Sequence, residues 1–119
     1  MPRYLISFDR GWMTFPEEEL ADVAAAGHAV LQEAQDVGFF VFSGGIADNE
    51  PTTLVAPDGT VTDGPYPETK EMIGGFTILD VPTRADAIRW AAKIAAACRC
   101  AQEVREVLPD SQVDEWLVR

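Results

Sequence analysis

DGPYPETKEMIGGF, residues 63–76, is the stretch on which the reading of this chain turns. It carries Gly64, Gly74 and Gly75, three of the nine glycines, and the densest polar chemistry in the sequence. Its opening is stiff. Pro65 pushes Gly64 toward extended geometry, and Pro67 does the same to Tyr66. It reads as a rigid connection between easily typed apolar segments on either side.

Upstream, residues 52–56 and 60–62 read as the strands of a hairpin. Pro57-Asp58-Gly59-Thr60 supplies the turn, and Asp-Gly is a strong hairpin signal. Downstream, residues 76–81 (FTILDV) form a strand. Thr83 then starts a second helix as its N-cap, with Asp86 three residues on completing a capping-box pattern. Ile88, Ala91, Ala92 and Ala95 are its expected buried stripe. Residues 99–108 read as a last strand, stopped by Pro109. The tail, with Trp116-Leu117-Val118, reads as a short helix or as an arm onto a partner.

At the other end, residues 3–8 (RYLISF) are a first strand. The loop after it holds Trp12, Met13 and Phe15. These either fold over the end of the core or wall a pocket or dimer contact. Glu17-Glu18-Glu19 after Pro16 opens a helix, since carboxylates suit the positive end of the helix dipole. Leu20, Val23, Ala24, Gly27, Leu31 and Ala34 share one stripe at helical spacing, and Gly38 ends the helix. Gly27 costs the helix interior about 1 kcal/mol relative to Ala, and is read as permitting close packing on a sheet. Residues 39–43 (FFVFS) form a continuous apolar strand, broken by Gly44-Gly45.

The order is β-α-β-β-β-β-α-β. It predicts an α+β fold: a ferredoxin-like antiparallel sheet with two helices on one face and an added β-hairpin. The apolar runs FFVF and FTIL imply that the other sheet face is covered as well, as in a homodimer that stacks sheets. Residues 1–109 are expected to form one domain and residues 110–119 a C-terminal tail.

The totals bound the function. With 119 residues, 47% hydrophobic and 24% charged, the chain suits one globular domain with a core of its own. A net charge of −11 argues against a nucleic-acid binder or an anionic-membrane binder, both of which lean on Lys and Arg. No apolar run reaches the ~18 residues of a membrane span. MPRYLISFDRGW is too short and too quickly charged for a signal peptide. A cytoplasmic location is expected. Cys98 and Cys100 are two apart; in a strand they would point to one face, where a disulfide would be strained, and a C-x-C pair lacks the ligand count for structural zinc, so they are read as reduced bystanders. No phosphate loop, dinucleotide fingerprint, H-E-x-x-H or G-x-S-x-G occurs, and no cofactor or metal is expected.

Two residues carry candidate acid–base chemistry. Asp63 sits on a rigid loop at a strand end, which either fixes a carboxylate for a ligand or lets it accept N–H bonds in its own turn. His28, the single histidine, lies about 80° around the first helix from Leu20, at the shoulder of the apolar stripe. There it either packs or reaches a carboxylate as a general base or acid. Glu68 and Lys70 are ligand contacts or a solvated turn. Gly74-Gly75 allows a ligand or another backbone to approach closely.

The run TDGPYPETKEMIGGF resembles the DGPF branch of the YCII-related domain family, whose form is roughly T-D-G-P-F-x-E-T-K-E-x-x-G-G-[FY]. Thr62, Asp63, Gly64, Pro65, Glu68, Thr69, Lys70, Glu71, Gly74, Gly75 and Phe76 match, and Tyr66 stands for the usual Phe. The RYLISF opening, the helix ending at Gly38, the FSGG after it and the closing strand also fit. The resemblance covers nearly the whole chain, apart from about the last ten residues. It implies a ferredoxin-like α+β fold, a homodimer, and a cleft lined by the DGPF loop and the first helix. It further implies a His–Asp acid–base pair, with Asp63 as the family aspartate and His28 as the candidate histidine. Proteins of this branch tend to be encoded beside or fused to extracytoplasmic-function sigma factors, which implies a regulatory setting. The leading reading is thus a small molecule or regulatory protein partner bound in a cleft rimmed by the loop. The contacts would come from Trp12, Asp63, Gly64, Pro65, Tyr66, Glu68 and Lys70. The alternatives are an enzyme in which His28 and Asp63 transfer a proton, and a plain dimeric scaffold.

Overall fold

A computed structural model describes residues 1–48, 51–64 and 72–117. Its elements run β1 (Arg3–Asp9), α1 (Leu20–Asp36), β2 (Phe40–Gly45), β3 (Thr53–Val55), β4 (Val61–Asp63), β5 (Ile73–Asp80), α2 (Arg84–Cys98), β6 (Glu103–Val107) and α3 (Ser111–Asp114). A four-stranded sheet has the order β2-β5-β1-β6, and β3-β4 is a separate two-stranded hairpin. All pairings are antiparallel. With the hairpin set aside, this is the ferredoxin-like arrangement, and the expected α+β class holds.

Strand alternation sorts the sheet into two faces. Tyr4 lies opposite Leu79 and Ile6 opposite Thr77. On that face Tyr4, Ile6 and Leu79 form the core with Ala34 of α1 and Ala87, Ala91 and Ile94 of α2. Both helices therefore cover one face. Burying each large aliphatic side chain there contributes roughly 1.5–3 kcal/mol.

The helix boundaries follow local chemistry. The three acids Glu17, Glu18 and Glu19 form a 3₁₀ turn rather than the first turn of α1. Gly38 adopts a left-handed φ of 81° after the last turn, and its N–H bonds Gln35 O at 3.0 Å. The capping box of α2 is complete. Thr83 Oγ1 accepts from Asp86 N at 3.1 Å, and the Asp86 carboxylate accepts from Thr83 N at 3.1 Å.

Three readings change. In α1, Val23 and Ala34 are buried but Leu20 is 54% exposed. In α2 the inward residues are Ala87, Ala91 and Ile94, while Ile88 is exposed, a turn of about one residue from the expected stripe. Alanines occupy several sides of this helix, so apolar spacing alone does not choose among them. The large Ile94 enters the core, and Trp90 meets Phe39 edge-on at 6.3 Å. The cysteines change too. Cys98 ends α2, and Cys100 follows Arg99, which takes a left-handed φ of 59°. The last strand therefore begins only at Glu103.

The face away from the helices carries an apolar row. Leu5 and Phe42 flank Ile78 from neighbouring strands. The Phe42 ring lies 5.9 Å from that of Phe76 and is 56% exposed. At the end of the sheet Arg3 holds Asp80 through Nε (2.7 Å) and Nη2 (2.9 Å), and reaches Asp114 of α3 at 3.0 Å.

Candidate functional site

A cavity of about 420 Å³ lies between α1, the helix-covered face of the sheet and the end of α2. Phe8 of β1, Phe40 of β2, Leu31 of α1 and Ile94 of α2 make it largely apolar. Alternation puts Phe8 on the same face as Tyr4 and Ile6, so the first strand points its last ring into this space. Gly27 also lines it, and a Cβ built on Gly27 meets nothing within 4 Å. This glycine therefore does not serve close helix–sheet packing, as its position in α1 had suggested. It leaves room.

The polar groups are few. Ser43 and Thr77 lie opposite each other on β2 and β5, and both line the cavity. Ser43 Oγ donates to Phe76 O at 3.0 Å and is 2.9 Å from Thr77 Oγ1. Gln102 donates from Nε2 to Cys100 Sγ at 3.5 Å. Cys98 lines the cavity, and burial pushes its thiol pKa up, which keeps it protonated and weakly nucleophilic. His28 lines the cavity and is exposed, so it stands at the mouth.

The other expected site residues fall elsewhere. Asp63 is exposed on β4, opposite Thr53, and Gly64 N donates to Thr52 O at 2.7 Å. Neither Asp63 nor Gly64 lines the cavity, and no hydrogen bond or ion pair joins His28 to Asp63 among the described residues. Trp12 is 37% exposed in the turn after β1, where its N–H bonds Asp9 O at 3.0 Å. Pro65, Tyr66, Glu68 and Lys70 lie outside the described residues.

The exit of residues 63–76 is anchored. Asp9 accepts from Gly11 N at 2.9 Å and from Met72 N at 2.8 Å. Arg10 N donates to Met72 O at 2.8 Å. These two amides, Gly11 first, hold the Asp9 carboxyl below its usual range. Gly74 and Gly75 are obligatory neighbours of this clasp. A Cβ at Gly74 would sit 2.6 Å from Arg10 Cα, and one at Gly75 would sit 2.8 Å from the Phe8 ring. The close approach expected of this pair is thus made by the chain's own backbone and by a ring that lines the cavity.

Reading the sequence missed Phe8, Ser43, Thr77 and Gln102. Thr77 had a signal: in FTILDV it shares a face with Leu79, so its hydroxyl had to be buried. Among the described residues no group of three or more His, Cys, Asp or Glu could hold a metal ion. No described helix is long and apolar enough to cross a membrane.

The YCII-related domain matches residues 12–111, and the chain belongs to that family. No curated protein matches it.

Proposed function

We propose that this YCII-related domain binds a small molecule in the cavity between α1, α2 and the sheet, with the segment after Asp63 as part of its rim. The cavity itself carries the proposal. Its volume, about 420 Å³, falls in the range of small-molecule sites, and its wall is apolar with a few convergent polar groups. Gly27 supports it, because a mid-helix glycine that packs against nothing gives up helix stability for empty space. The clasp between Asp9 and Met72 brings the exit of the signature segment to the residue next to Phe8. The regulatory setting implied by the resemblance fits a domain that senses a metabolite.

The test is a thermal-shift screen of metabolites against wild type and Gly27→Leu. Leucine favours the helix and fills the space. Hits should stabilise wild type and lose their effect on the variant. Equal shifts in both proteins would remove the cavity as the site.

Proton transfer by His28 and Asp63 is the second reading, favoured by the place of His28 at the cavity mouth. Any turnover found with a bound metabolite should then fall at least about a hundredfold in His28→Gln and in Asp63→Asn. Loss in neither variant would dismiss the pair.

We also propose that a second copy covers the open sheet face over Leu5, Phe42, Phe76 and Ile78. Light scattering should return a dimer mass for wild type and a monomer mass for Phe42→Arg. A monomeric wild type at high micromolar concentration would end this proposal.

A further inference from the structure

The hydroxyl pair at the back of the cavity has only one consistent arrangement of its protons. Ser43 has one hydroxyl proton. Phe76 O can only accept, so the 3.0 Å contact from Ser43 Oγ takes that proton. The 2.9 Å contact between Ser43 Oγ and Thr77 Oγ1 must then be donated by Thr77. Both protons are thereby committed inside the protein. Thr77 Oγ1 keeps its lone pairs and no proton to offer. A ligand that meets this pair meets an acceptor.

Charge narrows the match further. No Asp, Glu, Lys or Arg lines the cavity among the described residues. A full charge inside would be buried without a partner, which is strongly unfavourable. Burial keeps the Cys98 thiol neutral. His28, the one imidazole among the lining side chains, is at the exposed mouth. The rest of the wall, with Phe8, Phe40, Leu31 and Ile94, suits a flat apolar body.

We infer that the cavity takes an uncharged ring compound bearing an O–H or N–H group, and that this group donates to Thr77 Oγ1. The inference rests on the cavity being a binding site and adds the class of ligand.

Calorimetric titration with three probes tests it: 2-naphthol, 2-methylnaphthalene of nearly the same shape, and the anion 2-naphthoate. Wild type should bind 2-naphthol about five- to tenfold more tightly than 2-methylnaphthalene, the scale of one hydrogen bond, and 2-naphthoate most weakly. Thr77→Val should erase the preference for 2-naphthol while still binding 2-methylnaphthalene. Thr77→Ser, which keeps the hydroxyl and serves if the valine variant does not fold, should retain the preference. An unchanged preference in Thr77→Val, a loss of it in Thr77→Ser, or 2-naphthoate as the tightest probe, would overturn the ligand class and leave the cavity reading standing. Undiminished binding of the probes by Gly27→Leu would overturn the cavity reading itself. Failure of all three probes to bind wild type would overturn both.

Discussion

Asp9 holds the backbone N–H of Met72, 63 positions away in the chain, at 2.8 Å. Its other oxygen accepts from Gly11 N, so one carboxylate fastens the turn after β1 to the entry of β5. Both bonds favour the ionised form, and the Asp9 pKa is lowered in the folded state. The unfolded state then binds the proton more readily, so this contribution is present above the ordinary carboxylate value. It is lost as pH falls below about 4 through the folded value. Denaturant midpoints of wild type and Asp9→Asn should therefore differ at pH 6 and converge toward pH 3. A gap that is constant across that interval would show that the carboxylate charge is irrelevant here.

Gly74 and Gly75 face different obstacles. Gly75→Ala presses a methyl chiefly against the Phe8 ring, which can yield into the cavity; Gly74→Ala presses one against the edge of that ring and, more closely, against the Arg10 backbone, which cannot yield. Overpacking of this kind costs roughly 1–3 kcal/mol. Urea denaturation should place Gly74→Ala at the upper end and Gly75→Ala at the lower. Adding Phe8→Leu should relieve Gly75→Ala more than Gly74→Ala, whose tighter contact with the Arg10 backbone stays. Equal relief of both would contradict the assignment of the contacts.

The grip of Arg3 on Asp80 is bidentate and mostly shielded, with 20% and 12% of the two side chains exposed. Its link to Asp114 is at the surface, where 47% of the acid is exposed. Arg3→Lys forfeits the fork and should cost about 1–2 kcal/mol. Asp114→Ala should cost no more than about 1 kcal/mol. The order of the two denaturation midpoints checks this, and a larger loss in Asp114→Ala would reverse the view of which bond matters.

Gly27→Ala should stabilise the protein by about 0.5–1 kcal/mol, because the new methyl enters open space and the helix gains a better former. Thermal melting measures it. A lowered midpoint would mean that something packs on Gly27 after all.

Much of the fold was legible because its signals are local. Thr83 and Asp86 announce the start of α2 by type and spacing, and Asp58-Gly59 announces the hairpin turn. The rotation of α2 was not legible, since alanine on several sides leaves the periodicity without contrast and only Ile94 and Trp90 break the tie. His28 was found as the single histidine on a helix shoulder. Ser43 and Thr77 were not found, because each looks like an ordinary strand hydroxyl until β2 is laid against β5. Their pairing crosses 34 positions, and no spacing rule spans that distance. Gly27 was noticed and given the opposite purpose. A missing side chain looks the same in a sequence whether a neighbour or a void takes its place.

The two margins of the sheet have a consequence for how copies can meet. β2, one margin, slips in register between Phe40 and Phe42 and ends in Gly44 and Gly45. β6, the other, is only 5 residues long and carries Glu103, Arg105 and Glu106. A bulged margin and a short, charged one are both poor templates for an incoming strand. Lateral growth into a continuous sheet is disfavoured at each side. In the dimer proposed above, contact between copies would then fall on the open sheet face by stacking, a geometry that closes after two.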